Sequence, residues 1–287
     1  MTAGDGEAGG GEAGGQARGA AGQSAPIDGS GTDRAHCVLA PNPGLMTLDG
    51  TNTWLVAEPG SPTAVVVDPG PEDGEHLRRI IAIAEQAGRR IAAIVLTHGH
   101  FDHSAGARTL ADLTGASVRA ADPAHRLGSE GLPPGAVLSD GGCELEIIGT
   151  PGHSADSVSL YLRADRTVLT GDTVLGRGTA VIAEDGSLGE YLRSLSRLRA
   201  LADAADLRTL LPGHGPLLAE PRTVLDFYLT HRAERLAEVR AALAAGDRTT
   251  DQIVARVYAD VDRSLWPFAA MSVRAQLGYL RELGELP

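Results

Sequence analysis

Apolar residues follow two alternating rhythms along this chain. The run Ile91-Ala92-Ala93-Ile94-Val95-Leu96 is continuous and partly β-branched, which predicts a buried strand rather than a long helix. Shorter runs of the same kind occur at Trp54-Leu55-Val56, Ala64-Val65-Val66-Val67, around Val118, and at 145–148, 158–162 and 167–169, separated by Pro/Gly turns. Between them the spacing becomes helical: residues 75–87 place Leu77, Ile80, Ile81 and Ile83 on one side, and 104–114 and 188–202 repeat the habit. The mixture predicts an α+β sandwich over residues 35–220. From about 221 the rhythm is helical throughout, with helices expected at 222–245, 252–258 (after an N-cap at Thr250-Asp251) and 269–283. These form a small C-terminal domain over 221–287, with no room expected for a β-wing. Its plainest role is packing or homodimerisation.

Polar residues cluster where the strand-like runs end. Directly after Leu96 stands Thr97-His98-Gly99-His100-Phe101-Asp102-His103. Side chains alternate along an extended chain, so His98 and His100 can face the same way and share one ion. Asp102 and His103 fall on the turn beyond and can address a second. Imidazole nitrogens suit zinc, and a carboxylate suits a hard ion or a bridging position. The layout recurs as an apolar run, a Pro-Gly turn and a histidine at Pro151-Gly152-His153 and Pro212-Gly213-His214, while Thr170-Gly171-Asp172 ends another run on an aspartate. All seven candidates therefore sit at strand ends, where open sheets place their sites. His36, His76 and His125 have no partners at ligand spacing and read as surface or core histidines, and His231 reads as part of a helix face.

Composition restricts the chemistry. The chain has 287 residues, 43% of them hydrophobic, enough for one sizeable core and an appendage. All 25 basic residues are arginine, which excludes Schiff-base and lysine-base mechanisms. Cys37 and Cys143, far apart and outside any ligand spacing, argue against a disulfide framework. Residues 1–34 are rich in Gly and Ala and are expected to form a disordered tail. They lack the apolar core of a secretory signal, and no run approaches the ~20 apolar residues of a membrane span, so a cytoplasmic protein without membrane partners is expected. A net charge of -12 counts against a nucleic-acid surface, although the segment from Glu220 carries nine arginines against ten acids and leaves a local patch open.

The motifs over roughly 38–220 resemble the metallo-beta-lactamase fold superfamily: Asp68 closing Val65-Val66-Val67, the His-x-His-x-Asp-His string, then His153, Asp172 and His214. The stretches 42–53, 171–179 and 212–216 are similar to the beta-lactamase-like protein 2 branch. That resemblance implies a four-layer αβ/βα sandwich with a winged-helix-like C-terminal domain. It implies a binuclear zinc site, with iron or manganese as other metals, in which His98, His100 and His153 hold the first ion, Asp102, His103 and His214 the second, and Asp172 bridges them. A hydroxide held by the ions would be the nucleophile, with Asp102 orienting it or passing its proton on. Asp68 would support the metal histidines from behind. The loop 42–52 would rim the cleft, and Arg177 could meet a substrate anion or form a surface ion pair.

Vertebrate members of that branch are described as single-strand-specific endoribonucleases, and related sequences include polyketide thioesterases and, further away, hydroxyacylglutathione hydrolases. The expectation is thus a hydrolase acting on single-stranded RNA or on a small-molecule ester, thioester or lactone. A non-hydrolytic metal binder or diiron redox protein is the other class, but such relatives usually replace a ligand histidine with a carboxylate and add a flavin domain, and neither departure occurs here. Beta-lactam hydrolysis is a weak expectation without a secretory signal. Fold alone does not choose a substrate.

Overall fold

A computed structural model of the chain describes residues 26–128 and 131–286. Two sheets lie at its centre. The first takes β1 (Ala35–Leu39), β2 (Asn52–Val56), β3 (Thr63–Val67), β4 (Arg90–Val95) and β5 (Ser117–Arg119) in that order, antiparallel as far as β3 and parallel from there. The second runs β11 (Leu218–Ala219), β10 (Thr209–Pro212), β9 (Thr167–Gly171), β8 (Val158–Leu162), β7 (Leu145–Gly149) and β6 (Val137–Leu138). Alternate residues of both sheets, among them Val65, Val67, Val95, Ile147, Leu160 and Leu169, share one buried core. The opposite face of the first sheet packs on α1 (Gly74–Gln86) and α3 (Ala107–Thr114), and that of the second on α4 (Leu188–Ala204). Helix, sheet, sheet, helix is the four-layer sandwich expected.

The ligand string breaks what the sequence suggested as one helix at 104–114. Residues Phe101–Ser104 make a single turn, α2, and α3 starts only after Gly106. Gly106 lies so close to the Gly70 and Pro71 carbonyls that a side chain there would collide with backbone. The chain re-aims at that point, which separates the ligand-bearing turn from the packing helix.

Of the expected tail, residues 1–25 lie outside the described residues. Residues 26–34 belong to the folded domain: Ile27 packs on the inter-sheet core, and Arg34 pairs with both Glu58 and Asp165 at 2.7 and 2.6 Å. The low apolar content of this stretch is offset by polar contacts to distant residues.

Helix α5 (Pro221–Ala244) begins where the C-terminal domain was expected, but it is shared. Its first half, with Leu225 and Tyr228, completes the core beneath α4. Its second half, with Leu236 and Val239, forms a separate core with α6 (Thr250–Val257) and α7 (Trp266–Glu282). The N-cap of α6 is Thr249, one residue earlier than expected, in a capping box with Gln252. Helix α7 starts at Trp266 because Pro267 fits the first turn, where no N–H is needed. No strand follows Ala219 among the described residues, and no helix there is long and apolar enough to cross a membrane.

Candidate metal centre

Four segments that end strands and the turn α2 bring the seven candidate ligands together. His98 and His100 follow β4, Asp102 and His103 lie on α2, His153 follows β7, Asp172 follows β9 and His214 follows β10. His100 Nδ1 is 3.0 Å from both His98 Nε2 and His153 Nε2. In the second group His103 Nε2 is 3.1 Å from His214 Nε2, which is itself 3.1 Å from Asp102 Oδ2. Asp172 lies between the groups: its Oδ2 is 3.7 Å from His153 and 3.4 Å from His214, and its Oδ1 is 3.4 Å from His103. The two groups each place three donor atoms within 4.8 Å of one another.

The outer ring nitrogens explain why the inner ones are bare. His153 Nδ1 donates to the Val181 carbonyl at 2.6 Å and His214 Nδ1 to the Gly50 carbonyl at 3.1 Å. His103 Nδ1 donates to Asp68 Oδ2 at 2.9 Å. The Thr97 hydroxyl gives its proton to Asp68 at 2.7 Å, so it accepts from His98 Nδ1. A neutral imidazole has one N–H, and in these four it points away from the centre, leaving the Nε2 lone pairs inside. Asp68 also accepts from the Thr97 amide and is held in a left-handed conformation (φ 53), a strain of order 1 kcal/mol kept by this network.

Electrostatics separate the two groups: His98 and His153 are held neutral, while His103 and His214 favour the charged form beside the carboxylates. Burial together with His103 keeps His98 well below the ordinary histidine range, and burial lowers His153. Burial would also neutralise His103 and His214, but Asp172 and Asp68 hold His103 well above that range, and Asp172 with Asp102 lift His214 to about 9. Burial would raise Asp172, whose side chain is about 11% exposed, yet His214 and His103 keep it ionised far below the usual carboxylate range. Its Oδ1 has no hydrogen-bond partner. A buried, charged oxygen left unpaired costs several kcal/mol unless a cation meets it. The donor set of five imidazoles and two carboxylates suits zinc or a similar divalent ion. Gly213 permits the close approach, since a side chain there would lie 2.5 Å from Asp172 Oδ1 and 2.7 Å from the His103 ring.

The loop 42–50 is tied to the ligand string. The Asn42 side chain bonds both the amide and the hydroxyl of Thr51, and Thr51 donates to the Asp102 carbonyl at 3.0 Å. Arg177 pairs with Asp49 at 2.5 Å and so joins this loop to the one after β9.

Two clefts reach the centre. One, of about 560 Å³, is lined by His100, Gly99, His125, Asp122, Asp156 and Asp185 among others. His125, read as a surface or core histidine, is half-buried in this wall against Gly99 and belongs to none of the donor groups, and its separation in sequence hid the contact. The other, of about 320 Å³, touches His153 and Asp172 and is mostly apolar. Its wall includes residues of α7, which periodicity could not link to the ligands. Of the remaining histidines, His36 is exposed, His76 is buried beside Thr53, and His231 stacks on Phe227. The two cysteines are buried free thiols.

Comparison with known proteins agrees with this geometry. A family model described as the metallo-beta-lactamase superfamily matches residues 46–214, and one described as the beta-lactamase associated winged helix domain matches 249–285. The chain is 32% identical over 240 residues to a beta-lactamase-like protein 2 homolog of Caenorhabditis elegans, covering 80% of this chain and 78% of that one. It is 30% identical over 213 residues to the atrochrysone carboxyl ACP thioesterase of Aspergillus fumigatus, covering 72% and 64%. A beta-lactamase domain protein from Burkholderia ambifaria shares the fold, with a TM-score of 0.75 at 22% identity over 92% of this chain and 91% of that one. Ligand string, sandwich and C-terminal module together assign this chain to the metallo-beta-lactamase superfamily of hydrolases, with beta-lactamase-like protein 2 homologues among its relatives.

Proposed function

We propose that the protein is a metal-dependent hydrolase of uncharged carboxylic esters or thioesters, holding two divalent ions, zinc by its donor chemistry. The observation that carries this reading is the pair of converging donor groups with the buried, unpartnered Asp172 Oδ1 between them. His98, His100 and His153 would hold one ion, Asp102, His103 and His214 the other, with Asp172 shared. Ions bound there would lower the pKa of a water toward ~7 and withdraw charge from the attacked carbonyl oxygen. Asp102, about 30% exposed, is the more accessible of the two carboxylates in the donor set, so it would orient the water and carry its proton to the leaving atom. The water oxygen bonds to the carbonyl carbon and the C–O or C–S bond breaks. The alcohol or thiol leaves with one water proton, and the acid gives the other to solvent.

The arginines supply the case against RNA as substrate. Three of the nine arginines after Glu220 that could have guided a polyanion are engaged within the fold: Arg232 is buried and donates to the Ala180 carbonyl, Arg235 pairs with Glu238 at 2.8 Å, and Arg240 pairs with Glu285 at 2.6 Å. The cleft at His100 adds three carboxylates. Phosphodiester binding draws on free basic surface, which these observations do not favour. The relative named as an acyl-carrier thioesterase is consistent with the ester reading. Elemental analysis of protein purified without chelator should find about two divalent ions per chain, and p-nitrophenyl esters and acyl thioesters should be hydrolysed faster than single-stranded RNA. Full activity in metal-free protein would overturn the proposal.

A further inference from the structure

The apolar cleft that ends on His153 and Asp172 is built by three segments far apart in sequence. The β1–β2 loop contributes Leu45 and Met46, the loop after β9 contributes Leu175, and the C-terminal module contributes Val261, Leu265 and Phe268. Leu45, Met46 and Leu265 are among the most exposed large apolar side chains of the domain, at 67, 43 and 36%. Apolar side chains left open beside a reaction centre mark a binding surface. The cation on the rim, Arg177, is neutralised by Asp49. At about 30 Å³ per water-sized group, 320 Å³ admits roughly ten non-hydrogen atoms.

Resting on the hydrolase reading above, we propose that this cleft is the acyl site: it seats an uncharged alkyl or aryl acyl limb of about eight to ten carbons, with the ester carbonyl at the His153 and Asp172 end. Leu265 and Phe268 set the length accepted from one wall, and Met46 from the other. The C-terminal module is then a specificity element of the catalytic domain. The occupant is fixed by continuity with the reaction centre, since the carbonyl must reach the donors and the limb attached to it has this cavity to enter. The second cleft, at His100, receives the leaving group.

The test is a p-nitrophenyl ester series from acetyl to decanoyl on the purified full chain, with binding of the neutral apolar dye 1-naphthylamine, about the size of the cleft, measured in parallel. Each methylene buried should raise kcat/KM about three- to four-fold up to octanoyl, followed by a plateau. Leu265→Trp and, on the opposite wall, Met46→Asp should each lower the octanoyl-to-acetyl ratio of kcat/KM at least ten-fold and weaken dye binding. Leu113→Asp, a like change at an exposed apolar residue on α3, should leave both readouts unaltered. If no ester is turned over but dye binding responds to both cleft variants, the cleft stands and the hydrolase reading fails. If esters are turned over with a flat length profile and dye binding ignores the variants, the acyl site is refuted and the hydrolase reading survives.

Discussion

Arg232 offers the sharpest test of how α5 serves the metal centre. The residue is about 5% exposed; its guanidinium lies 4.9 Å from the Tyr191 ring centre and donates to the Ala180 carbonyl, while its Nε has no partner and no carboxylate stands within 4 Å among the described residues. Ala180 precedes Val181, whose carbonyl orients His153. Replacing Arg232 with Met keeps most of the apolar volume. It removes a charge-assisted hydrogen bond of about 1.5–3 kcal/mol and a cation–π contact of about 0.5–2 kcal/mol. Against this, it no longer buries an unpaired charge, whose desolvation costs several kcal/mol. The two sides nearly cancel, so stability should change by about 1 kcal/mol, or about 2–4 °C in Tm.

The loop, however, loses its anchor beside His153. Metal affinity should therefore fall about 10–100-fold, as when a partner of a metal-bound histidine is removed. Competition with a zinc indicator measures the affinity, and thermal melts in chelator measure the fold. A large drop in Tm with unchanged zinc affinity would refute the reasoning and leave Arg232 as ordinary packing.

Other outcomes follow from the same geometry. Metal binding displaces a proton from His214, whose folded pKa is about 9, so apparent affinity should rise with pH up to about 9 and calorimetry in buffers of different ionisation enthalpy should detect proton release; pH-independent binding would contradict the ligand assignment. His76 is buried and its pKa is lowered to about 4, so between pH 6.5 and 4 the unfolded chain takes up a proton that the native state refuses. Stability contributed by the neutral ring is fully present above 6.5 and falls by about 3 kcal/mol by pH 4; in urea titrations with chelator His76→Gln should flatten this acid limb, and an unchanged limb would show that His76 is not its source. Asp102→Asn should lower kcat about 10²–10⁴-fold and His100→Ala should abolish turnover, with the fold retained by circular dichroism, whereas the exposed His36→Ala should leave both intact.

Much of the centre is legible because its chemistry is local. Four donors share one heptapeptide, and the other three follow the same strand-end turn, so strand detection and residue type suffice. The mixture of strands and helices follows from their alternating spacing, as at 75–87 and 91–96, whereas the four-layer order is implied only by the family resemblance. What escapes the sequence depends on contacts between distant segments. Residues 26–34 look like tail until Arg34 meets Glu58 and Asp165. The two-residue strands β6 and β11 are too short for any period to register. His125 and Phe268 carry no ligand spacing and reach the clefts only through tertiary packing. Arg232 resembles any surface arginine on a helix, and only its burial without a carboxylate separates it from Arg235 and Arg240.

The division between core and centre has a consequence for the metal-free protein. The cores between and outside the sheets contain none of the seven donors, so their apolar burial, the main source of folding free energy, does not depend on an ion. The ligands instead tie separate loops to the sheet ends: His214 holds the Gly50 carbonyl of the β1–β2 loop, and His153 holds Val181 of the loop after β9. Without a cation, Asp172 Oδ1 lacks a partner and His103 and His214 must be charged to satisfy the carboxylates. Metal removal should therefore loosen these two loops while the sandwich persists, giving faster amide exchange at 42–50 and 176–186 and little change in β2, β3, β4, β8 and β9. Because both loops also wall the apolar cleft, acyl binding and metal binding should strengthen each other, by the same factor in either order of addition.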